Sequence, residues 1–167
     1  MRRSIVFTLA LVVLLVASLG CEGQSAEVTR SGAPHREKAP DFTLAGLKGG
    51  DVKLSSLTGE GVVLLDFTTT WCPHCVTIIP ALKEIHANYK DVKVVAVYIN
   101  ESKANVEKFA KKHDLPYLVL LDSGGSVATQ YKVRGVPTVV AIGKDGLIRF
   151  TGHHISKEEI DRILKEG

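Results

Sequence analysis

Cys72 and Cys75 stand two residues apart in the run Trp71-Cys72-Pro73-His74-Cys75, between an apolar strand-like segment and a helix-like one. Cysteines at this spacing can trade a dithiol for a disulfide. Their sulfurs are close enough to bond, and the first thiol falls at a helix start, where the positive end of the dipole favours a thiolate. Asp66 is the second residue with chemical promise. It interrupts the apolar run Gly61-Val62-Val63-Leu64-Leu65-Asp66-Phe67, where another apolar residue is expected. A buried, unpaired carboxylate tends to hold its proton and can exchange it near neutral pH. One strand end and one loop could bring it beneath the cysteine pair. An aspartate at a strand end, pointing to water, is the plainer alternative.

The surrounding pattern supplies the elements that would position these groups. Residues 61–67 form a nearly continuous apolar run, the mark of a strand buried on both faces. From Pro73 to Tyr89, Ile78, Leu82, Ile85 and Tyr89 recur at helical spacing, with Pro80 expected to kink the helix. Val92 to Ile99 reads as a second buried strand. Ser102 can cap a helix carrying Val106, Phe109 and Ala110, which ends in Lys111 and Lys112. A short strand over 118–121 and a short helix over 126–131 follow. Thr138 to Ile142 and Leu147 to Thr151 flank the hairpin turn Lys144-Asp145-Gly146. Ser156 and Glu159 form a capping box before Ile160, Ile163 and Leu164. Upstream, Phe42 to Leu44 and Val52 to Leu54 flank Gly49-Gly50, a hairpin signal, and Ser55 to Leu57 reads as a turn. Alternating strands and helices, closed by a hairpin and a helix, predict an α/β domain with a mixed sheet.

The 167 residues suffice for one domain with a hydrophobic core. The N-terminus stands apart from it. Arg2 and Arg3 precede an apolar stretch from Ile5 to Leu19, roughly 22 Å long if helical and short of a bilayer core of about 30 Å. Small residues and Cys21 follow, the layout of a secretory signal peptide. Ala17-Ser18-Leu19-Gly20-Cys21 resembles a bacterial lipobox, although Ser18 stands where leucine is usual. The expected organisation is a lipoprotein-type signal peptide over 1–20, with an ordinary signal peptide cut nearby or an uncleaved anchor as the alternatives, then a flexible tether over 21–38 and the folded domain over 39–167. Lipidation of Cys21 would anchor the domain to a membrane, in the periplasm or on the outer face of the cell membrane. It would also use up the odd cysteine and leave one pair, which suits an oxidising compartment. Without Arg2 and Arg3 the formal charge falls from +3 to +1, and no basic stripe asks for nucleic acid.

Asp66-Phe67, Trp71 to Cys75, and Gly135-Val136-Pro137-Thr138 before a strand together resemble the thioredoxin superfamily. Ala39-Pro40-Asp41-Phe42-Thr43-Leu44 and Leu54-Ser55-Ser56-Leu57 resemble its TlpA/ResA-like branch of exported, membrane-tethered members. The resemblance covers about residues 39–166. It implies a thioredoxin fold: a central mixed β-sheet flanked by helices, with an N-terminal β-hairpin extension. It implies thiol–disulfide exchange with Cys72 as the exposed nucleophile and Cys75 as the buried resolving thiol. Asp66 would handle the proton of Cys75, and Trp71 would pack beside the disulfide. Pro137 matches the family's cis-proline, and the backbone at Val136 would pair with an extended substrate. No cofactor and no metal are implied. The implied partners are proteins with cysteine pairs and a membrane thiol electron donor of the DsbD/CcdA kind, with the protein acting as a monomer.

Two departures bear on direction. Ile78 stands where ResA-type relatives often carry a glutamate. The inner pair Pro73-His74 is that of the oxidant DsbA, and a histidine beside the thiolate can make the disulfide more oxidising. Thioredoxin and DsbA differ by about 150 mV, roughly 7 kcal/mol for two electrons, so local residues can decide the direction. The whole-chain resemblance favours a reductase, as in cytochrome c maturation, over a DsbA-like oxidase. A copper-binding module using Cys72, Cys75 and His74 is a weaker alternative, because a closed site normally needs more ligands. A peroxiredoxin is weaker still: Thr69 lies three residues before Cys72, but its nucleophile is not half of such a cysteine pair. His153 and His154 would point to opposite faces of a strand and chelate poorly, so structural or surface roles are expected of them.

Overall fold

In a computed structural model, residues 37–166 are described. The signal segment, Cys21 and nearly all of the expected tether lie outside them. The sheet is built around its most apolar run. Strand β3 (Val62–Thr68) is buried at every position, and β4 (Val92–Ile99) lies parallel beside it from Val62↔Val92 to Thr68↔Tyr98. Both strands carry β-branched residues on two faces, as a strand covered by helices on both sides requires. Strand β5 (Leu118–Asp122) continues the parallel set. On the other side of β3, β6 (Thr138–Ile142) runs antiparallel and pairs with β7 (Ile148–Gly152) through the expected hairpin.

The N-terminal hairpin, β1 (Thr43–Gly46) and β2 (Asp51–Lys53), turns at Gly49 and Gly50, both with positive φ. Glycine takes that conformation without a Cβ penalty. β1 docks antiparallel on β5 at the edge opposite β7, giving the order β2-β1-β5-β4-β3-β6-β7. The segment Glu37–Ala39 bonds to the far hairpin: Ala39 N–H donates to Gly146 and Ile148 N–H to Glu37, flanking a Lys38↔Leu147 bridge.

One face of the sheet packs against α2 (Pro73–Asn88), α3 (Lys103–Lys112) and α5 (Lys157–Glu166), through Leu82, Ile85, Val106, Ile160 and Ile163. The other packs against α1 (Ser55–Thr58) and α4 (Ser126–Gln130), through Leu54, Val127 and Ala128. Ser55 to Leu57, expected as a turn, forms the short helix α1. α2 runs through Pro80 as one helix. Its buried stripe is Cys75, Ile79, Leu82 and Ile85, whereas Ile78 and Tyr89 are only partly buried. The phase is set by Cys75, which faces the core, and the i, i+4, i+7 spacing then selects Ile79 rather than Ile78. Ser102 caps α3, its Oγ accepting from Asn105 N–H, and Ser156 Oγ accepts from Glu159 N–H.

Candidate active site

The parallel strands β3 and β4 end side by side, and the loop after β3 carries the chemistry. Ligand and reaction sites collect at such carboxyl ends of strands. Cys72 is the N-cap of α2 and Pro73 its first residue, a position where the missing N–H costs nothing. The Cys72 Sγ accepts from Cys75 N–H at 3.3 Å and donates to the Val136 carbonyl at 3.6 Å. One loop before α2 and one loop before β6 therefore meet at a single sulfur. The Val136–Pro137 bond is cis.

Cys72 is only 5% exposed, against the expectation of an open nucleophile. The Val136 loop and the first turn of α2 shelter it. Cys75 lies deeper, at 1%, on the core-facing stripe of α2. Burial pushes its thiol up to about 12, and the hydrogen bond with Cys72 pushes the same way; the Thr68 hydroxyl and the Thr69 backbone at the sulfur offset this in part. Cys75 thus stays protonated at neutral pH. Both cysteines are free thiols.

Asp66 is 2% exposed, which removes the alternative of a strand-end group in water. Side chains alternate along β3, so Leu64, Asp66 and Thr68 share the face that meets α2. Thr68 reaches Cys75, and Asp66 lies one pleat below it, roughly 7 Å along the strand. Burial raises the Asp66 carboxyl to about 7, and its Oδ1 has no hydrogen-bond partner. The neighbouring phenols of Tyr98 and Tyr117 are raised by burial and then by the nearby charge, Asp66 among its sources. A buried carboxyl poised near neutrality is a group that can exchange a proton near pH 7.

Trp71 is 74% exposed. It walls a cleft of about 370 Å³ with Thr69, Asn100, Arg134 and Val136. On the other side of Val136 a second cleft, about 530 Å³, is lined by His74, Thr77, Ile78, Pro137, His153 and His154. His74 is exposed, and its side chain does not bond the Cys72 sulfur. Among the described residues no three histidine, cysteine or acidic side chains are grouped to hold a metal ion.

Two residues of the site escape sequence reasoning. The Glu101 carboxylate, just past β4, accepts from both Thr70 N–H and Thr70 Oγ, the latter at 2.6 Å, and so ties down the loop leading to Cys72. Nothing in the sequence marks that pairing. The His153 ring meets the Pro137 carbonyl at 2.8 Å. Both histidines line one cleft because β7 ends at Gly152, so the alternation expected of a strand no longer applies. The hairpin register, which pairs Val139 with Gly152, is the signal that places His153 beside the Pro137 loop.

This sheet, with a cysteine pair at the start of α2 and a cis-proline loop against it, defines a thioredoxin-like thiol–disulfide oxidoreductase. The chain belongs to the AhpC/TSA family, whose profile matches residues 35–151. It is 33% identical to thiol-disulfide oxidoreductase ResA of Geobacillus kaustophilus, over 98% of this chain and 96% of that protein. ResA of Bacillus thuringiensis is also 33% identical, over 78% and 76%. Among solved structures, a Chlorobium tepidum protein assigned as a thiol:disulfide interchange protein DsbE superposes with a TM-score of 0.72 at 31% identity, covering 80% of this chain and 99% of that one. A secreted Mycobacterium tuberculosis disulfide oxidoreductase, homologous to DsbE of Escherichia coli, does so with a TM-score of 0.65 at 25% identity, covering 75% and 96%. The protein is a thiol–disulfide oxidoreductase.

Proposed function

We propose that the protein works outside the cytoplasmic membrane as a reductase of cysteine pairs in exported proteins. The Cys72 thiolate attacks one sulfur of a substrate disulfide. A Cys72–substrate disulfide forms, and the first substrate thiolate leaves and takes up a proton. Cys75 then gives its proton to Asp66 and attacks Cys72 Sγ. The mixed disulfide breaks, the second substrate thiol is released, and Cys72–Cys75 ends as a disulfide. Two electrons pass to the substrate, and a membrane thiol donor of the DsbD/CcdA kind restores the dithiol. Val136 offers the backbone edge along which the substrate lies, and Trp71, Pro73 and His74 shape the approach to the sulfur.

The observation that carries the reading is the contrast between the two thiols. Cys72 Sγ receives an N–H at the start of α2, whereas Cys75 is held protonated above Asp66. The reductase direction is supported by His74, which stands in solvent and off the sulfur. A strongly oxidising pair depends on stabilising the thiolate of its reduced form, and among the described residues no cationic side chain bonds Cys72. A monomer tethered by a lipid on Cys21 fits the signal-like N-terminus, and no helix of the described residues is long and apolar enough to cross a membrane.

The test is the reduction potential of the Cys72–Cys75 pair. A value near about −270 mV, that of thioredoxin, supports a reductase; one near about −120 mV, that of DsbA, would establish the oxidase instead. A Cys75→Ser protein should accumulate substrates disulfide-bonded to Cys72. Failure to trap any would remove the exchange mechanism.

A further inference from the structure

We propose that His153 is a positioning residue for disulfide exchange: its ring holds the Pro137 carbonyl and thereby presents the Val136 backbone edge to an extended substrate. The inference rests on the reading of Val136 as that edge.

The antiparallel ladder between β6 and β7 stops at Val139↔Gly152. Its continuation would set Thr138 across from His153, but β7 has ended. The Pro137 carbonyl takes its hydrogen bond from a side chain instead, His153 Nδ1 at 2.8 Å. A carbonyl only accepts, so Nδ1 carries the hydrogen. On the other side of Val136, the Gly135 carbonyl accepts from Thr138 Oγ1 at 2.7 Å. The carbonyls flanking Val136 are thus both occupied by the protein's own side chains. The Val136 carbonyl faces only the Cys72 thiol, a weak donor at 3.6 Å. When Cys72 ionises it has no S–H to give, and the Val136 carbonyl is left open to an N–H of the incoming chain.

His153 comes from the far strand of the hairpin and is exposed. Its ring has the cleft of His74, Ile78 and His154 on one side, and on the other a cleft formed with Thr138, Ser156 and Glu159. It sits outside both hydrophobic clusters of the core. The ring therefore acts on the loop rather than on the stability of the domain. Fixing the loop in advance spares the substrate the cost of ordering it.

The test compares wild type, His153→Ala and His153→Gln, each as the full chain, reduced, against two disulfides. One is a linear peptide dimerised through a central cysteine, which can pair along Val136. The other is 5,5′-dithiobis(2-nitrobenzoate), which has no backbone. H153A should slow reaction with the peptide about fivefold, the worth of one net hydrogen bond, and leave the aromatic disulfide unaffected. H153Q, which keeps an N–H, should recover the peptide rate. Equal peptide rates for wild type and H153A, a parallel loss with both disulfides, or no recovery in H153Q would overturn the proposal. If H153A equals wild type while Cys75→Ser still traps the peptide on Cys72, the role of His153 falls and the exchange mechanism stands.

Discussion

The backbone N–H of Cys75 points at the sulfur of Cys72, 3.3 Å away, while the Cys75 side chain turns inward toward the strand that carries Asp66. One residue therefore serves the Cys72 sulfur with its backbone and keeps its own thiol buried. The two sulfurs of a symmetric-looking motif become chemically unequal through the first turn of a single helix.

That inequality predicts the labelling order. With Cys75 pushed up to about 12, only about one molecule in ten thousand carries its thiolate at pH 8. Iodoacetamide at pH 8 should alkylate Cys72 and leave Cys75 intact until the protein is unfolded. Mass spectrometry of the digested protein reads this directly. Comparable labelling of both thiols in the native state would contradict the burial argument.

Asp66 predicts a pH dependence of stability with a definite sign. Its carboxyl sits at about 7 in the fold against 3.8 for an ordinary aspartate. Below about pH 4 it is protonated in both states and costs nothing. As pH rises from 4 to 7, the unfolded chain releases the proton and the folded one keeps it, so stability is lost across that window, on the order of 4 kcal/mol in all. Asp66→Asn removes this slope. Urea unfolding of both reduced proteins from pH 4 to 8 should show the variant gaining on wild type as pH rises, with the gain level above about pH 8.

The same substitution should slow resolution. Without a carboxyl beneath it, Cys75 has no nearby base. Attack of Cys72 on a substrate disulfide should keep its rate near pH 7, while release of the mixed disulfide slows by tenfold or more, within the usual contribution of a positioned base. Quenched-flow analysis of the mixed disulfide separates the two steps, and an unchanged release rate would remove Asp66 from the mechanism.

Glu101 should matter to stability more than its surface-like position suggests. Its carboxylate takes two hydrogen bonds from Thr70, and losing them should cost roughly 2 kcal/mol in Glu101→Ala. Glu101→Gln, which still accepts at one oxygen, should lose less. Thermal unfolding monitored by circular dichroism gives the ranking.

Trp71 should show the opposite profile. At 74% exposure, Trp71→Ala should leave stability within about 0.5 kcal/mol of wild type. Removing one wall of the cleft beside Val136 should instead raise KM for protein substrates with little change in kcat. A large drop in the unfolding midpoint would show that the indole packs on the domain.

Much of this architecture was legible from periodicity. The run over 61–67, the strand over 92–99, the hairpin around Gly146 and the capped helices after Ser102 and Ser156 appear where apolar spacing and capping residues put them. Short-range patterns encode them, and burial on one or two faces enforces them. Periodicity is ambiguous where it has two solutions. Ile78 and Ile79 are adjacent apolar residues, and only the inward turn of Cys75 decides which enters the core. The placement of the N-terminal hairpin beside β5 likewise depends on a pairing between distant segments, which no local signal specifies.

By itself the sequence determined the cysteine pair, the helix that starts on it, the buried strand with its anomalous aspartate, and the loop at Val136-Pro137. These are properties of residue type and spacing, and local geometry translates them directly. Only the tertiary structure decided that Cys72 is sheltered, that Trp71 is exposed, that His74 stands off the sulfur, and that Glu101 and His153 bond the two loops meeting at the thiol. Each of these depends on which distant side chain fills the space or supplies the hydrogen bond. Strand order and register make that choice, and the residues themselves do not announce it.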